Sequence, residues 1–287
     1  MNYNKDSFTW GYEIEWGDID RTKEIPAHLG SWEHAETDIV NLHEPYKYIA
    51  CDPLGLEPPV GGEINTKPTK NWQEQVARIM NIKALFDKPS ASCVNHGHLH
   101  VFVPGLKNDI DALKRLVKYI KDNQADTIEA CYQFYNGASM NKAKGATNYL
   151  KFDGGRPMPD YMCDNIINTA VDFDHFIKLH AAGKDGISMG RPFRFAINLY
   201  CMKHTGTIEF RCFRSSINED EIWSQFEFVE KFIDAALNDG PSVKEILRDN
   251  KFKFPTFRWD INEYMGWVNT KYDKSRGEKK REYHDVA

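Results

Sequence analysis

The chain has 287 residues, a formal net charge of −5, and 41% hydrophobic, 28% charged and 13% aromatic residues. That is the composition of an ordinary globular protein with enough apolar mass for one large core or two small ones. It excludes a nucleic-acid binder acting by bulk positive charge, and no apolar run approaches the ~18 residues that would cross a bilayer.

The N-terminus, MNYNKDSFTW, lacks the basic-then-apolar layout of a signal peptide. The six cysteines are scattered without a CxxC pair and read as reduced thiols. A cytoplasmic protein is the expectation.

Phe8 to Asp18 alternates as an extended strand. Phe8, Trp10, Tyr12, Ile14 and Trp16 share one face; Thr9, Gly11, Glu13 and Glu15 share the other. Two carboxylates one pleat apart repel each other unless that face meets water, a cation or a basic partner. A half-solvated edge strand accounts for the pattern in isolation.

Arg21 to Pro45 reads as an excursion loop with room for a short strand or helical turn, and Tyr46 to Cys51 as a second strand. Gly61 to Thr66, GGEINT, is a short strand ending at Lys67-Pro68. Asn71 caps a helix from Trp72 to about Phe86. Cys93 to Val103 alternates His96, His98, His100 and Phe102 with Gly97, Leu99, Val101 and Val103. Asp109 to Lys121 is an amphipathic helix, and a separate helix follows over Ala125 to Phe134.

Gly137 to Pro159 is a basic, glycine-containing loop that includes Lys151 and Arg156. Helix returns at Asp172 to His180, and Gly183 to Pro192 is a second loop. Phe193 to Cys201 and Thr207 to Phe213 read as an antiparallel hairpin joined by MKHTG. Glu219 to Asn238 is a long helix, with a short one after Ser242. Residues 270–287 are charged and read as a solvated tail, leaving 1–269 as a single α+β domain with a mainly antiparallel sheet.

Four strands therefore present polar faces: Glu13/Glu15, Glu63, His98/His100 and Glu209/Arg211, with Thr207 and Phe213 placed beside the last pair. In one sheet they would line one surface. Oxygen-rich ligands of this kind suit two or three Mg²⁺ or Mn²⁺ ions. An adjacent arginine suits phosphoryl transfer. The alternating His96, His98 and His100 also permit a zinc site.

The ordered motifs GYEIEW, CDPLGLEPPVGGEINTKP, CVNHGHLHVFV and FAINLYCMKHTGTIEFRCFRSS resemble those of the amidoligases. These are carboxylate–amine ligases related to glutamine synthetase and glutamate–cysteine ligase. The resemblance spans residues 8–235 and implies a curved, mainly antiparallel sheet of glutamine-synthetase-like type, with helices on its convex side. It implies ATP and Mg²⁺ (or Mn²⁺) as cofactors, and an amide formed from a carboxylate and an amine through an acyl phosphate. Glu13, Glu15, Glu63, His100 and Glu209 match the metal positions, His98 the neighbouring histidine, Arg211 the phosphate-contacting arginine and Asp52 an acidic position before the second strand motif. Asp52 and Glu57 are candidates for the base by position only, with a surface turn as the alternative reading.

The chain departs from the family in CFRSS after EFR, which makes Arg214 an extra cation. With Arg194 it could bind a second carboxylate or a phosphate, and Lys151 and Arg156 could close over nucleotide without forming a P-loop. A phosphotransferase on the same fold, a zinc hydrolase and an inactive binding module are the competing readings.

Overall fold

The computed structural model describes residues 3–16, 19, 23–32, 62–87, 89, 96–131, 134–135, 157–181, 195–254 and 257–260. The expected strand at Tyr46–Cys51, residues 137–156 of the loop expected at 137–159, the loop expected at 183–192, and the C-terminal tail lie outside them.

The opening strand becomes β1 (Thr9–Trp16), and the excursion loop after it contains β2 (Gly30–Trp32). The strand β3 spans Gly62–Thr66, β4 His96–Phe102, β6 Ile197–Asn198 and β7 Thr207–Arg214. The short β5 (Phe134–Tyr135) pairs in parallel with β8 (Phe257–Asp260). The other six strands form one sheet in the order β2-β3-β1-β4-β7-β6, with every pairing antiparallel.

The helices are α1 (Trp72–Lys83), α2 (Ile110–Cys131), α3 (Asp160–Thr169), α4 (Phe173–Ala181), α5 (Glu219–Leu237) and α6 (Val243–Asp249). No helix among the described residues is long and apolar enough to cross a membrane.

One face of the sheet is apolar because the period-two pattern puts it there. Phe8, Trp10, Tyr12, Ile14 and Trp16 are buried, as are Leu99, Val101, Ile208 and Phe210. Against them α5 lays Phe226 on Trp10 and Tyr12, and Phe232 on Phe210. Gly97 belongs to this packing: a Cβ there would overlap the Tyr12 phenol, which is held by a 2.8 Å hydrogen bond to Gln225 Oε1. Where β3 ends, Thr66 Oγ1 takes over the backbone of Tyr12, and Gln75 Nε2 donates to the carbonyls of Trp10 and Lys67. The buried main-chain groups of β1 thus stay paired beyond its partner strand.

Three readings of the sequence change. The two helices expected over 109–134 are the single helix α2. It runs through its polar middle without a break, where Asn123 and Gln124 are buried and find partners on other elements. Asn123 Oδ1 accepts from Val243 N, and Gln124 is doubly hydrogen-bonded to the backbone of Met158. Helix α3 was not anticipated; only Met162, Cys163 and Ile166 are buried in it, a short stripe after Pro159. The strand expected at 193–201 is just Ile197–Asn198, followed by a 3₁₀ turn over Tyr200–Lys203.

His180, on α4, is fully enclosed by Phe176, Phe195 and Tyr200. Neither ring nitrogen has a hydrogen-bond partner among the described residues. Burial lowers its pKa to about 4. In the unfolded chain a histidine titrates near 6.5, so as pH falls from about 6.5 to 4 the unfolded state takes up the proton first. Stability should drop by about 3 kcal/mol across that window, at about 1.4 kcal/mol per pH unit. Urea midpoints between pH 7 and 4 should show this slope, and His180→Phe should flatten it.

Candidate metal centre

The opposite face of the sheet is polar and can be followed row by row. Thr9, Phe102 and Thr207 stand opposite one another in the first row. Gly11, His100, Glu209 and Asn198 make the second. Asn65, Glu13 and His98 make the third, and Glu63 opposes Glu15 in the fourth.

A register shift lies between β4 and β7. Gly97 pairs with Phe213 but Leu99 with Phe210, so His98 faces both Arg211 and Cys212. This bulge corrects the expected face of Phe213. The extra residue turns Phe213 away from Glu209 and Arg211 and into the apolar core, against Phe228 and Phe254. Arg211 stays on the polar side, buried beside Glu209.

The side chains converge closely. Glu13 reaches His98 Nδ1 through Oε2 at 2.8 Å and His100 Nε2 through Oε1 at 2.9 Å. His98 Nε2 lies 3.6 Å from Glu15 Oε1, and His98 Nδ1 lies 3.7 Å from Glu209 Oε1. Arg211 Nη1 contacts Glu209 Oε1 and sits 3.3 Å from His98 Nδ1. Two groups result, Glu13/His100/Glu209 and Glu13/Glu63/His98, each with ligand atoms within 4.8 Å of one another. Glu13 belongs to both.

Around this centre lie residues that motif reading alone did not single out. Asn198 Nδ2 donates to Glu209 Oε2 at 2.6 Å, and Cys201 Sγ donates to the same oxygen at 2.8 Å. Thr207 Oγ1 is 3.0 Å from His100 Nδ1. Such outer contacts fix the orientation of carboxylate and imidazole ligands. The signal for Asn198 was present in the hairpin, since its register places Asn198 opposite Glu209.

Electrostatics favour the ionised forms of Glu13 and Glu209. Burial raises the Glu13 carboxyl, but the adjoining His100 and His98 outweigh it and hold it well below the usual range. Burial likewise opposes the charge on Glu209, yet Arg211, His98 and His100 bring its pKa down to about 2. Burial works against protonation of His100, and the Glu13 carboxylate overrides it and raises the pKa. The Cys201 thiol is pushed up by burial and by Glu209 and stays protonated as a donor.

Among the described residues, four glutamates meet one guanidinium and two imidazoles at this centre. His100 Nε2 lies 2.9 Å from Glu13 Oε1, so the imidazole and the carboxylate are already paired within the group. Two carboxylates and one imidazole per group fit Mn²⁺ or Mg²⁺ completed by water or phosphate oxygens. His98 and His100 fall in different groups, each beside two glutamates, rather than together in a histidine-rich zinc site.

Of the expected site residues, Glu13, Glu15, Glu63, His98, His100, Glu209 and Arg211 are brought together. Asp52, Glu57, Lys151, Arg156 and Arg194 lie outside the described residues, as do the side chains of His96 and Arg214, whose backbones pair in the ladder. No family model, curated protein or solved structure matches the chain.

Proposed function

We propose that this protein is an ATP-dependent carboxylate–amine ligase that works on a divalent-cation centre in the polar face of a glutamine-synthetase-like sheet. The observation that carries the reading is the pair of Glu/His groups sharing Glu13, with a buried arginine alongside. Bound Mg²⁺ or Mn²⁺ would neutralise phosphate oxygens and hold the reacting groups in line.

The chain's own residues supply the rest. Glu13, Glu63 and His98 hold one cation position; Glu13, His100 and Glu209 hold the other. Glu15, near His98 Nε2, adds charge at the edge of the first. Asn198 and Cys201 pin one oxygen of Glu209, and Thr207 fixes the His100 ring, so that the ligand atoms are set before substrate arrives. Arg211 is a preorganised cation for charge that develops on a transferring phosphoryl group. Asp52 is the proposed base for the amine, and Lys151, Arg156, Arg194 and Arg214 the proposed contacts to nucleotide or a second anion.

The test is ADP release with Mg²⁺ or Mn²⁺ against pooled carboxylates and amines, run beside Glu209→Gln. ADP production that needs both a carboxylate and an amine, and is lost in the variant, is the expected result. ADP production without amine dependence and with a phosphorylated product would make the protein a phosphotransferase. Turnover that survives Glu209→Gln, or stoichiometric zinc in the purified protein, would overturn the ligase reading.

A further inference from the structure

We propose that Thr205 is a positioning residue of the cation centre: through Thr207 it keeps a proton on His100 Nδ1 and leaves Nε2 as the ligand atom. The proposal rests on the cation centre of the reading above and is independent of the reaction run there.

The observation is a chain of three hydrogen bonds that leads away from the centre. His100 Nδ1 lies 3.0 Å from Thr207 Oγ1, Thr207 Oγ1 lies 2.6 Å from Thr205 Oγ1, and Thr205 Oγ1 lies 2.9 Å from the Cys201 carbonyl oxygen. Its direction is set at the far end. A carbonyl can only accept, and a threonine hydroxyl has a single hydrogen to give. Thr205 therefore donates to Cys201 O, a local return to the backbone that threonine commonly makes. Its oxygen is then an acceptor, for Thr207 N at 3.3 Å and for the Thr207 hydroxyl. With its hydrogen committed to Thr205, Thr207 can only accept from the ring. The proton it accepts is the one on Nδ1.

The backbone makes this chain possible. Side chains on the same face of a strand are about 7 Å apart along it, too far for a hydroxyl pair. Between the two threonines stands Gly206, whose φ of 80° is in the left-handed region. It leads the chain from the 3₁₀ turn over Tyr200–Lys203 into β7 and folds Thr205 onto Thr207. The same 3₁₀ turn carries Cys201, whose thiol holds Glu209 Oε2. One residue thus anchors two members of the Glu13/His100/Glu209 group. It holds Glu209 by its side chain and His100, through the threonines, by its carbonyl.

The fixed end decides what the other nitrogen does. Nε2 lies 2.9 Å from Glu13 Oε1, a fellow member of the group. A carboxylate there draws the ring proton toward Nε2, and only an unprotonated nitrogen can bind a cation. The threonine chain opposes this by giving the proton a partner at Nδ1. A ligating histidine generally donates its other N–H in this way, which sets both tautomer and ring orientation. Here the partner is a hydroxyl, which by itself could equally donate. Without Thr205 the Thr207 hydroxyl can turn and donate to Nδ1, and the non-ligating tautomer becomes accessible. Thr205, exposed and two hydrogen bonds from the ring, selects between the two.

The experiment records long-range ¹H–¹⁵N spectra of the imidazoles in the full chain, metal-free and with Mg²⁺, at a pH where each ring carries a single proton. Mn²⁺ affinity is measured alongside by water-proton relaxation. His100 Nδ1 should show the shift of a protonated nitrogen in both states, and Nε2 should respond to Mg²⁺. Thr205→Val should move Nδ1 toward the unprotonated shift and weaken Mn²⁺ binding about tenfold, the low end of what such outer partners contribute. Thr205→Ser, which keeps the hydroxyl, should restore both. His98, whose Nδ1 faces Glu13 Oε2 at 2.8 Å, should keep its shifts in either variant and is the control. An unprotonated Nδ1 in the wild type would overturn the proposal. So would a Thr205→Val variant unchanged in either readout, a weakening that Thr205→Ser shares, or equal shift changes at His98. A wild type with the Thr205-dependent Nδ1 proton that binds neither Mg²⁺ nor Mn²⁺ would overturn the cation centre, and with it the role of Nε2. A protein that meets every expectation here and forms no amide would overturn the ligase reading alone.

Discussion

Replacing Arg211 by leucine should lower the unfolding free energy of the cation-free protein by about 3–5 kcal/mol, the usual cost of removing one partner from a buried ion pair. Arg211 and Glu209 are both buried. Burial by itself works against the guanidinium charge, and the Glu209 and Glu15 carboxylates more than restore it. In the variant, Asn198 and Cys201 still hold Glu209 Oε2, but Oε1 loses its charged partner. The remaining glutamates then face one another with only the two imidazoles to offset them. Added Mn²⁺ should therefore stabilise Arg211→Leu more than it stabilises the wild type, because a divalent cation replaces the missing positive charge. Urea unfolding in EDTA and in Mn²⁺ measures both quantities. A cost below about 1 kcal/mol, the range of exposed pairs, would mean that the guanidinium is solvated and not part of the centre.

Glu13→Gln should abolish cation-dependent stabilisation altogether, whereas Glu63→Gln should remove only part of it. The asymmetry follows from membership: Glu13 serves both ligand groups and Glu63 one. A ligand at a hundred times its dissociation constant stabilises a protein by about 2.7 kcal/mol per site. The wild type should show a shift of at least this size in saturating Mn²⁺, and Glu13→Gln none. The neutral amide also removes the carboxylate that raises the His100 pKa, so the imidazole should titrate at lower pH in the variant. NMR titration of the histidines and thermal melts with and without Mn²⁺ check the two effects separately. Equal losses in Glu13→Gln and Glu63→Gln would mean a single cation position.

The polar face was legible because strand alternation is steric and survives any tertiary setting. Glu13, Glu15, Glu63, His98, His100, Glu209 and Arg211 could each be assigned a face by counting in twos. The count failed at Phe213, where one extra residue in β7 reverses the parity. Nothing local in EFRCFR announces such a bulge; it is a property of the pairing with β4. Helix α2 was read as two helices; its continuity draws on Asn123 and Gln124, whose partners, Val243 and Met158, come from distant parts of the chain. Cys201 was unreadable as a site residue because a 3₁₀ turn, not a strand, carries it to Glu209. The antiparallel α+β architecture was legible from the order of elements.

The two ligand groups are one pattern repeated with a sideways step. The first draws on β3, β1 and β4, and the second on β1, β4 and β7. The sheet is thus a ruler, graduated in strand spacings of about 4.8 Å. Connections between strands can lengthen or shorten without changing its scale. A single residue inserted within β4 would not be tolerated in the same way. It would exchange His98 and His100 for their apolar neighbours and erase both graduations at once. Tolerance to insertion should therefore map sharply onto this protein, permissive between the central strands and prohibitive inside them.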